Sequence, residues 1–301
     1  MDGGGQEIHV PVLAREIVHW LAPRPGGVYV DATLGLGGHT GLLLKQQPDL
    51  QHIYGFEWDG EAAEIASAHL HAPTPQVSVV RSSYTNLLQE LQNRGVEQVD
   101  GIIADFGVSS LQLDTGDRGF SFRQDGPLDM RMSTQVERTA ADLIAQVSEE
   151  QLADIFYHYG EERQARRIAR FIVEKRQEEP IRSTGQLAEI VAYAVPLKYH
   201  PKKIHVATKV FQALRIAVNR EFENITCLID AAPALLAEGG RICLISFHSI
   251  EDRIIKQALA AHPAFQVMTR KPVQPSGEEI KSNPRSRSAK LRVACKVNAR
   301  S

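Results

Sequence analysis

The chain has 301 residues, 43% hydrophobic and 23% charged, with a net charge of −2; these values exclude a disordered or fibrous chain and fit one large globular domain, or one domain carrying a sizeable insertion. No apolar run reaches bilayer length, and the opening residues Met1 to Glu7 have neither a basic nor an apolar stretch, so a cytoplasmic protein with no membrane contact is expected. Cys227, Cys243 and Cys295 are odd in number and far apart, which excludes a disulfide framework or zinc site; Cys243 reads as a core hydrophobe and no metal is expected.

In chain order, the first clear element is a buried strand over 28–31, followed by the turn Leu34-Gly-Leu-Gly37-Gly38-His39 and a helix over 38–47. A second strand over 52–57 delivers Glu57 where the diol of a bound ribose would lie. Glycines at the first, third and sixth places mark a dinucleotide site, but counting from Gly35 the sixth place is Thr40. The missing glycine would pack helix on strand beside a pyrophosphate, so a nucleoside without one, such as S-adenosylmethionine, fits better. Strands over 77–81 and 99–105, with helices over 60–71 and 84–94, complete an alternation that builds a parallel sheet. Gly37, Glu57, Tyr84 and Asp105 then meet in one crevice at the carboxyl ends of the strands.

After Asp105 the alternation stops. Residues 106–131 form a long Gly-, Ser- and Asp-rich loop, expected to be functional because of its length; its Phe106, Phe120 and Phe122 either stack on a ligand or pack the loop down. Capping boxes at Ser148 and Ser183 open two helices, ended at Gly160 and before Pro196, and an arginine-rich helix lies between them over 161–179. One apolar stripe from Val206 to Ile225 then leads back to the sheet. Gly239-Gly240 turns into a strand over 241–246, and a helix over 250–261 and strands over 265–269 and 290–297 close the fold, the last as an antiparallel hairpin strand.

Charge is distributed unevenly. Residues 1–140 carry 18 acidic and 9 basic side chains, residues 141–301 carry 18 and 25, and the tail from Lys281 to Ser301 has no acidic residue. Lys209, Gln212, Arg215 and Asn219 share the polar face of the helix that bears the apolar stripe. With Arg163, Arg166, Arg167, Arg170 and the tail they read either as a solvated face or as a rim for nucleic acid phosphates.

Nine ordered motifs carry a resemblance. They are His9-Val-Pro-Val-Leu13, Asp31-Ala-Thr-Leu-Gly-Leu-Gly-Gly-His39, Asp105-Phe-Gly-Val-Ser-Ser-Leu-Gln-Leu-Asp114, Arg118-Gly-Phe-Ser-Phe-Arg123, Asp125-Gly-Pro-Leu-Asp-Met-Arg131, Tyr159-Gly-Glu-Glu-Arg163, Phe211-Gln-Ala-Leu-Arg-Ile216, Ser246-Phe-His-Ser-Ile-Glu-Asp-Arg253 and Asn283-Pro-Arg-Ser-Arg-Ser288. The set resembles that of the small-subunit ribosomal RNA cytosine methyltransferases of the MraW type. The resemblance implies an α/β, Rossmann-like S-adenosylmethionine-dependent methyltransferase sheet with an inserted small helical domain. The first part of the sheet domain would span 1–107, the loop and helical substrate-recognition insertion 108–204, and the second part with the basic tail 205–301.

It further implies methyl transfer to the exocyclic N4 amine of a cytidine in the decoding region of 16S ribosomal RNA, free or within an assembled small subunit. Gly37, Gly38, His39, Glu57, Tyr84, Asp105 and Gln112 would contact the cofactor, and Lys209, Arg215 and His248 the RNA. Glu57, Tyr84 and Leu111 stand where the family often has Asp, Phe and Pro. From its place at a strand end beside the turn, Asp105 is the candidate proton acceptor. Whether the protein is a monomer or a homodimer stays open, as do two other readings, a nicotinamide-dependent oxidoreductase and a non-enzymatic ribosome-assembly factor.

Overall fold

A computed structural model of the chain describes residues 11–70 and 76–298. His9 and Val10 of the first motif, His71 at the expected end of a helix, and Arg300 and Ser301 of the tail lie outside these residues. The chain divides into two compact units, one formed by residues up to Gly107 together with those from Phe222 onward, the other by Val108–Glu221.

The first unit runs α1 (Ala14–Leu21), β1 (Val28–Asp31), α2 (Gly38–Gln46), β2 (His52–Phe56), α3 (Gly60–Leu70), β3 (Val77–Val80), α4 (Leu87–Gln92) and β4 (Val99–Asp105). The second contains α5 (Ser110–Asp114), α6 (Ala140–Gln146), α7 (Glu149–Gly160), α8 (Ala165–Glu178), α9 (Thr184–Ala194) and α10 (Thr208–Asn219). The chain then returns with α11 (Glu221–Leu235), β5 (Leu236–Ser246), α12 (Ser249–Ala261), β6 (Phe265–Val267), α13 (Gly277–Ser282) and β7 (Lys290–Lys296).

The seven strands lie in the order β3-β2-β1-β4-β5-β7-β6. β1 to β5 pair in parallel, and β7 pairs antiparallel with both β5 and β6. Period-two side chains feed two cores. Ile102, Ala104, Ile242 and Leu244 face one sheet surface with Leu91, Leu228, Ile229 and Ile255 of α4, α11 and α12, while Ile103, Cys243 and Ile245 face the other with Ile17, Leu21 and Leu43 of α1 and α2. Strands buried on both faces read as continuous apolar runs, which is why β4 and β5 stand out in the sequence. Burial pushes the Cys243 thiol up to about 12, in keeping with a core role.

In the second unit both anticipated capping boxes form. Ser148 accepts from the Gln151 N–H and Ser183 from the Gln186 N–H, with each glutamine returning the bond. The long loop is not an open one. Gly119 has φ of +72°, and a Cβ there would lie 2.3 Å from the Pro127 carbonyl oxygen. Asp125 Oδ1 accepts from the Gly185 N–H at the start of α9 at 2.7 Å, and Arg131 pairs with both oxygens of Asp129 at 2.7 and 2.8 Å.

Three expectations need correction. The second boundary between the units falls after Glu221 and not after residue 204, because α10 packs on α7 and buries Val210, Leu214 and Ile216 within the helical unit. The stripe from Val206 to Ile225 is two helices, broken at Arg220, whose φ of +52° ends the first. The basic tail is partly structural: β7 sits between β5 and β6, and its Arg292, 5% exposed, pairs with Asp252 at 2.6 Å, while Lys281, Arg285 and Arg287 ahead of β7 are exposed.

Candidate active site

Parallel pairing aligns the strand ends. Asp31, the last residue of β1, lies opposite Gly55 of β2 and Ile103 of β4, so the residues following those strands share one edge with it. Glu57 follows β2, and its carboxylate folds back onto the glycine turn. Oε2 accepts from the Gly35 N–H and Oε1 from the Asp59 N–H, both at 2.8 Å. The turn needs its glycines: Gly37 has φ of +87°, and a Cβ there would lie 2.8 Å from Leu70 Cδ1.

Beside the turn, Asp31 accepts from Thr40 Oγ1 at 2.9 Å and from the Thr33 N–H at 3.2 Å, and Thr33 Oγ1 accepts from the Asp105 N–H at 2.6 Å. His39, in the first turn of α2, places Nε2 at 3.6 Å from Asp105 Oδ2, an ion-pair distance too long for a hydrogen bond. Among the described residues neither ring nitrogen of His39, nor Asp105 Oδ1, has a hydrogen-bond partner, although all three atoms are buried.

The electrostatics follow from burial. Glu57 is desolvated, which outweighs its two backbone donors and pushes its carboxyl up to about 7. Burial also raises Asp31, against the pull of His39 and Thr40. In His39 burial disfavours the charged ring, but the Asp105 carboxylate and then Asp31 overcome it, and its pKa rises. Two carboxyl groups, Glu57 and Asp31, and one imidazole are thus held with less water than they would choose, a pattern more frequent at functional sites than elsewhere.

The other expected site residues lie on several elements. Gly38 opens α2. Tyr84, half-buried in a short 3₁₀ turn, meets the edge of Phe106 at 5.9 Å between ring centres. His248 caps α12: Nδ1 accepts from the Glu251 N–H at 3.3 Å, and Nε2 lies 2.9 Å from Glu251 Oε1. Gln112 belongs to the helical unit, where its side-chain oxygen accepts from the Ser109 N–H and caps its own short helix. Phe122 packs against His205 and Phe211, which makes it a packing residue.

The polar face of α10 is not a free rim. Arg215 holds both oxygens of Glu221 at 2.7 and 2.8 Å, Lys209 donates to the Glu161 carbonyl, and Asn219 is 2% exposed, bonded to Met132 N–H and the Met130 carbonyl. Arg167 and Arg176 of α8 donate to carbonyls at the ends of α9 and α6, satisfying oxygens that lack intrahelical donors. The residues that sequence reasoning passed over are Asp31, Thr33 and Thr40. Their only signal was a carboxylate and two hydroxyls bordering a glycine turn.

A parallel sheet that closes with an antiparallel seventh strand inserted between the fifth and sixth, with acidic strand ends around a glycine turn, defines a Rossmann-like, S-adenosylmethionine-dependent methyltransferase. Residues 6–297 match the MraW methylase family, and the chain belongs to it. Curated relatives named ribosomal RNA small subunit methyltransferase H include those of Desulfotalea psychrophila, 52% identical over 97% of this chain and 99% of that protein, and Synechococcus elongatus, 50% identical over 96% and 95%. That of a Cyanothece species is 48% identical over 97% and 96%. Among the described residues there is no group of side chains suited to hold a metal ion, and no helix long and apolar enough to cross a membrane.

Proposed function

We propose that this chain methylates the exocyclic N4 amine of a cytidine in the decoding region of small-subunit (16S) ribosomal RNA, with Asp105 as the acceptor for the amine proton. The observation that carries the chemistry is Asp105 Oδ1, a buried carboxylate oxygen at the end of β4 with no hydrogen-bond partner among the described residues. The ribosomal substrate is supported by the name the relatives bear, and such a substrate puts the reaction in the cytoplasm.

The residues present fit S-adenosylmethionine. Gly37 gives the turn its left-handed backbone, and each Glu57 oxygen accepts one N–H and keeps a second lone pair for a ribose hydroxyl. The His39 ring, which has an ion-pair contact but no hydrogen bond, suits the carboxylate of an amino acid moiety, Asp105 Oδ2 suits its ammonium and leaves Oδ1 for the base, and Tyr84 offers an aromatic face for adenine. Bound S-adenosylmethionine supplies a methyl group already activated on a sulfonium.

The nucleophile needs help, since the lone pair of a cytosine amine is delocalised into its ring. Asp105 accepts a hydrogen bond from that amine as the nitrogen loses planarity, and takes its proton once the new N–C bond is made and the S–C bond is broken. Reaching such a pocket requires a base out of its stack, which is cheapest in single-stranded RNA. The test is mass spectrometry of small-subunit RNA from cells lacking the protein. Loss of one cytidine methyl group is expected, and an unchanged methylation pattern overturns the proposal.

A further inference from the structure

Of the six large hydrophobic side chains exposed in the described residues, five fall between residues 157 and 204 of the helical unit: Tyr157, Tyr193, Leu197, Tyr199 and Ile204. Single exposed apolar residues are ordinary, but three tyrosines 60%, 76% and 53% exposed within one small unit are not. Their neighbours are cations. Tyr193 meets Phe171 edge-on at 5.6 Å, and the guanidinium groups of Arg167 and Arg170 lie 5.4 and 5.7 Å from the centre of that Phe171 ring. Lys198 stands 4.9 Å from the ring centre of Tyr199, in the 3₁₀ turn that follows α9. Tyr157 lines a cavity of about 610 Å³ with Arg163, Arg166 and Arg167, so Arg167 joins the cavity to the Phe171–Tyr193 pair.

The charge around these rings is mostly positive, although Asp154 also lines the cavity and Glu174 pairs with Arg170 at 3.5 Å. Residues 163–173 hold four arginines and residues 190–209 four lysines, and neither stretch contains an acidic residue. Flat rings left open to solvent between fixed cations match a polyanion that carries its own flat rings. Bases stack on tyrosine faces irrespective of sequence while guanidinium groups neutralise the phosphates between them. A duplex hides those base faces.

We infer that the face formed by α8, α9 and the 3₁₀ turn Leu197–Tyr199 binds a single-stranded stretch of RNA by stacking on Tyr193 and Tyr199, a surface additional to the methyl-transfer site. The inference deepens the reading of the protein as an RNA methyltransferase and rests on it, but its test reads binding and not methylation.

The experiment measures, by fluorescence anisotropy, binding of the full chain to a labelled single-stranded RNA oligonucleotide and to the same oligonucleotide annealed to its complement, across a salt series. Tyr193→Ala and Tyr199→Ala should each weaken single-strand binding on the order of tenfold, with little effect on the duplex and an unchanged salt slope. The Phe substitutions at both positions should retain wild-type affinity, and Arg163→Gln with Arg166→Gln should flatten the salt slope. Single-strand affinity unaltered in the double alanine variant overturns the inference, as does an equal loss on duplex. If that variant binds the oligonucleotide normally yet fails to methylate assembled small subunits, the surface reads a protein and the RNA assignment is wrong. Absence of methyl transfer by the wild-type chain would sink the enzymatic reading while leaving the binding result intact.

Discussion

In the sheet unit buried atoms of Asp105 and His39 lack hydrogen-bond partners, whereas in the helical unit no buried side-chain polar atom among the described residues lacks one. The same residue types are used in opposite ways. Glu57 and Asp31 are packed where burial raises their pKa, while Arg215, Asn219, Arg167 and Arg176 complete bonds that hold helices and loops in place. Unsatisfied buried groups cost stability and persist where a ligand completes them, and satisfied ones make a rigid support. The helical unit instead exposes aromatic rings that it could have buried, which is where a partner outside the chain would be met.

The comparison is broken most directly at Asp105. Asp105→Asn should lower methyl incorporation into small-subunit RNA by about 10²–10⁴-fold, the range for a positioned acid–base group, with the folded state intact by circular dichroism. Near wild-type turnover would return Asp105 to a structural role and erase the contrast.

The second test targets the satisfied network. Asn219→Ala removes bonds to the Met132 N–H and to the Met130 and Arg215 carbonyls, leaving buried backbone groups unpaired. It should cost about 3 kcal/mol in urea unfolding, with cofactor affinity at the wild-type level. A cost under about 1 kcal/mol would show that the network is not what holds α10 to the loop.

The smallest effect sharpens the electrostatics of the sheet unit. With its carboxyl up at about 7, Glu57 is a stronger acceptor for both hydroxyls of a ribose diol once deprotonated, so cofactor affinity should fall as the solution is acidified below about 7, by up to tenfold per pH unit. Glu57→Gln should weaken binding near neutrality and flatten that pH profile in calorimetry; a profile equally steep in the variant assigns the proton to another group. For folding the sign is opposite. The folded-state pKa lies above the ordinary carboxyl value, so this group's contribution to stability is complete below about 4.5 and is lost as the pH rises through about 7.

Much of the sheet unit was legible because its physics is local. β1 and β4 begin and end where the apolar runs and their terminal carboxylates put them, and the glycine turn was read from a spacing that only certain backbone angles allow. The capping boxes at Ser148 and Ser183 were readable for the same reason, as hydroxyl and amide three residues apart. The polar face of α10 was misread. Periodicity places Lys209, Gln212, Arg215 and Asn219 on one side of a helix but says nothing of what that side meets, and Glu221, Tyr159, Glu161 and Met130 had not been placed there. Only the β7 half of the tail departs from its sequence reading, since a basic run looks the same whether solvated, as at Lys281, Arg285 and Arg287, or threaded into a sheet beside Asp252.

By itself the sequence determined the alternating strands and helices, the glycine turn and the acidic strand ends, because hydrophobic period, turn chemistry and capping act between residues near in the chain. Only the tertiary structure decided that His39 stands against Asp105, that Glu57 folds back on Gly35, that β7 slots between β5 and β6, and which cations are tied down. Those outcomes depend on which distant groups share a buried space, where loss of water sets both the charge of a side chain and the need for a partner.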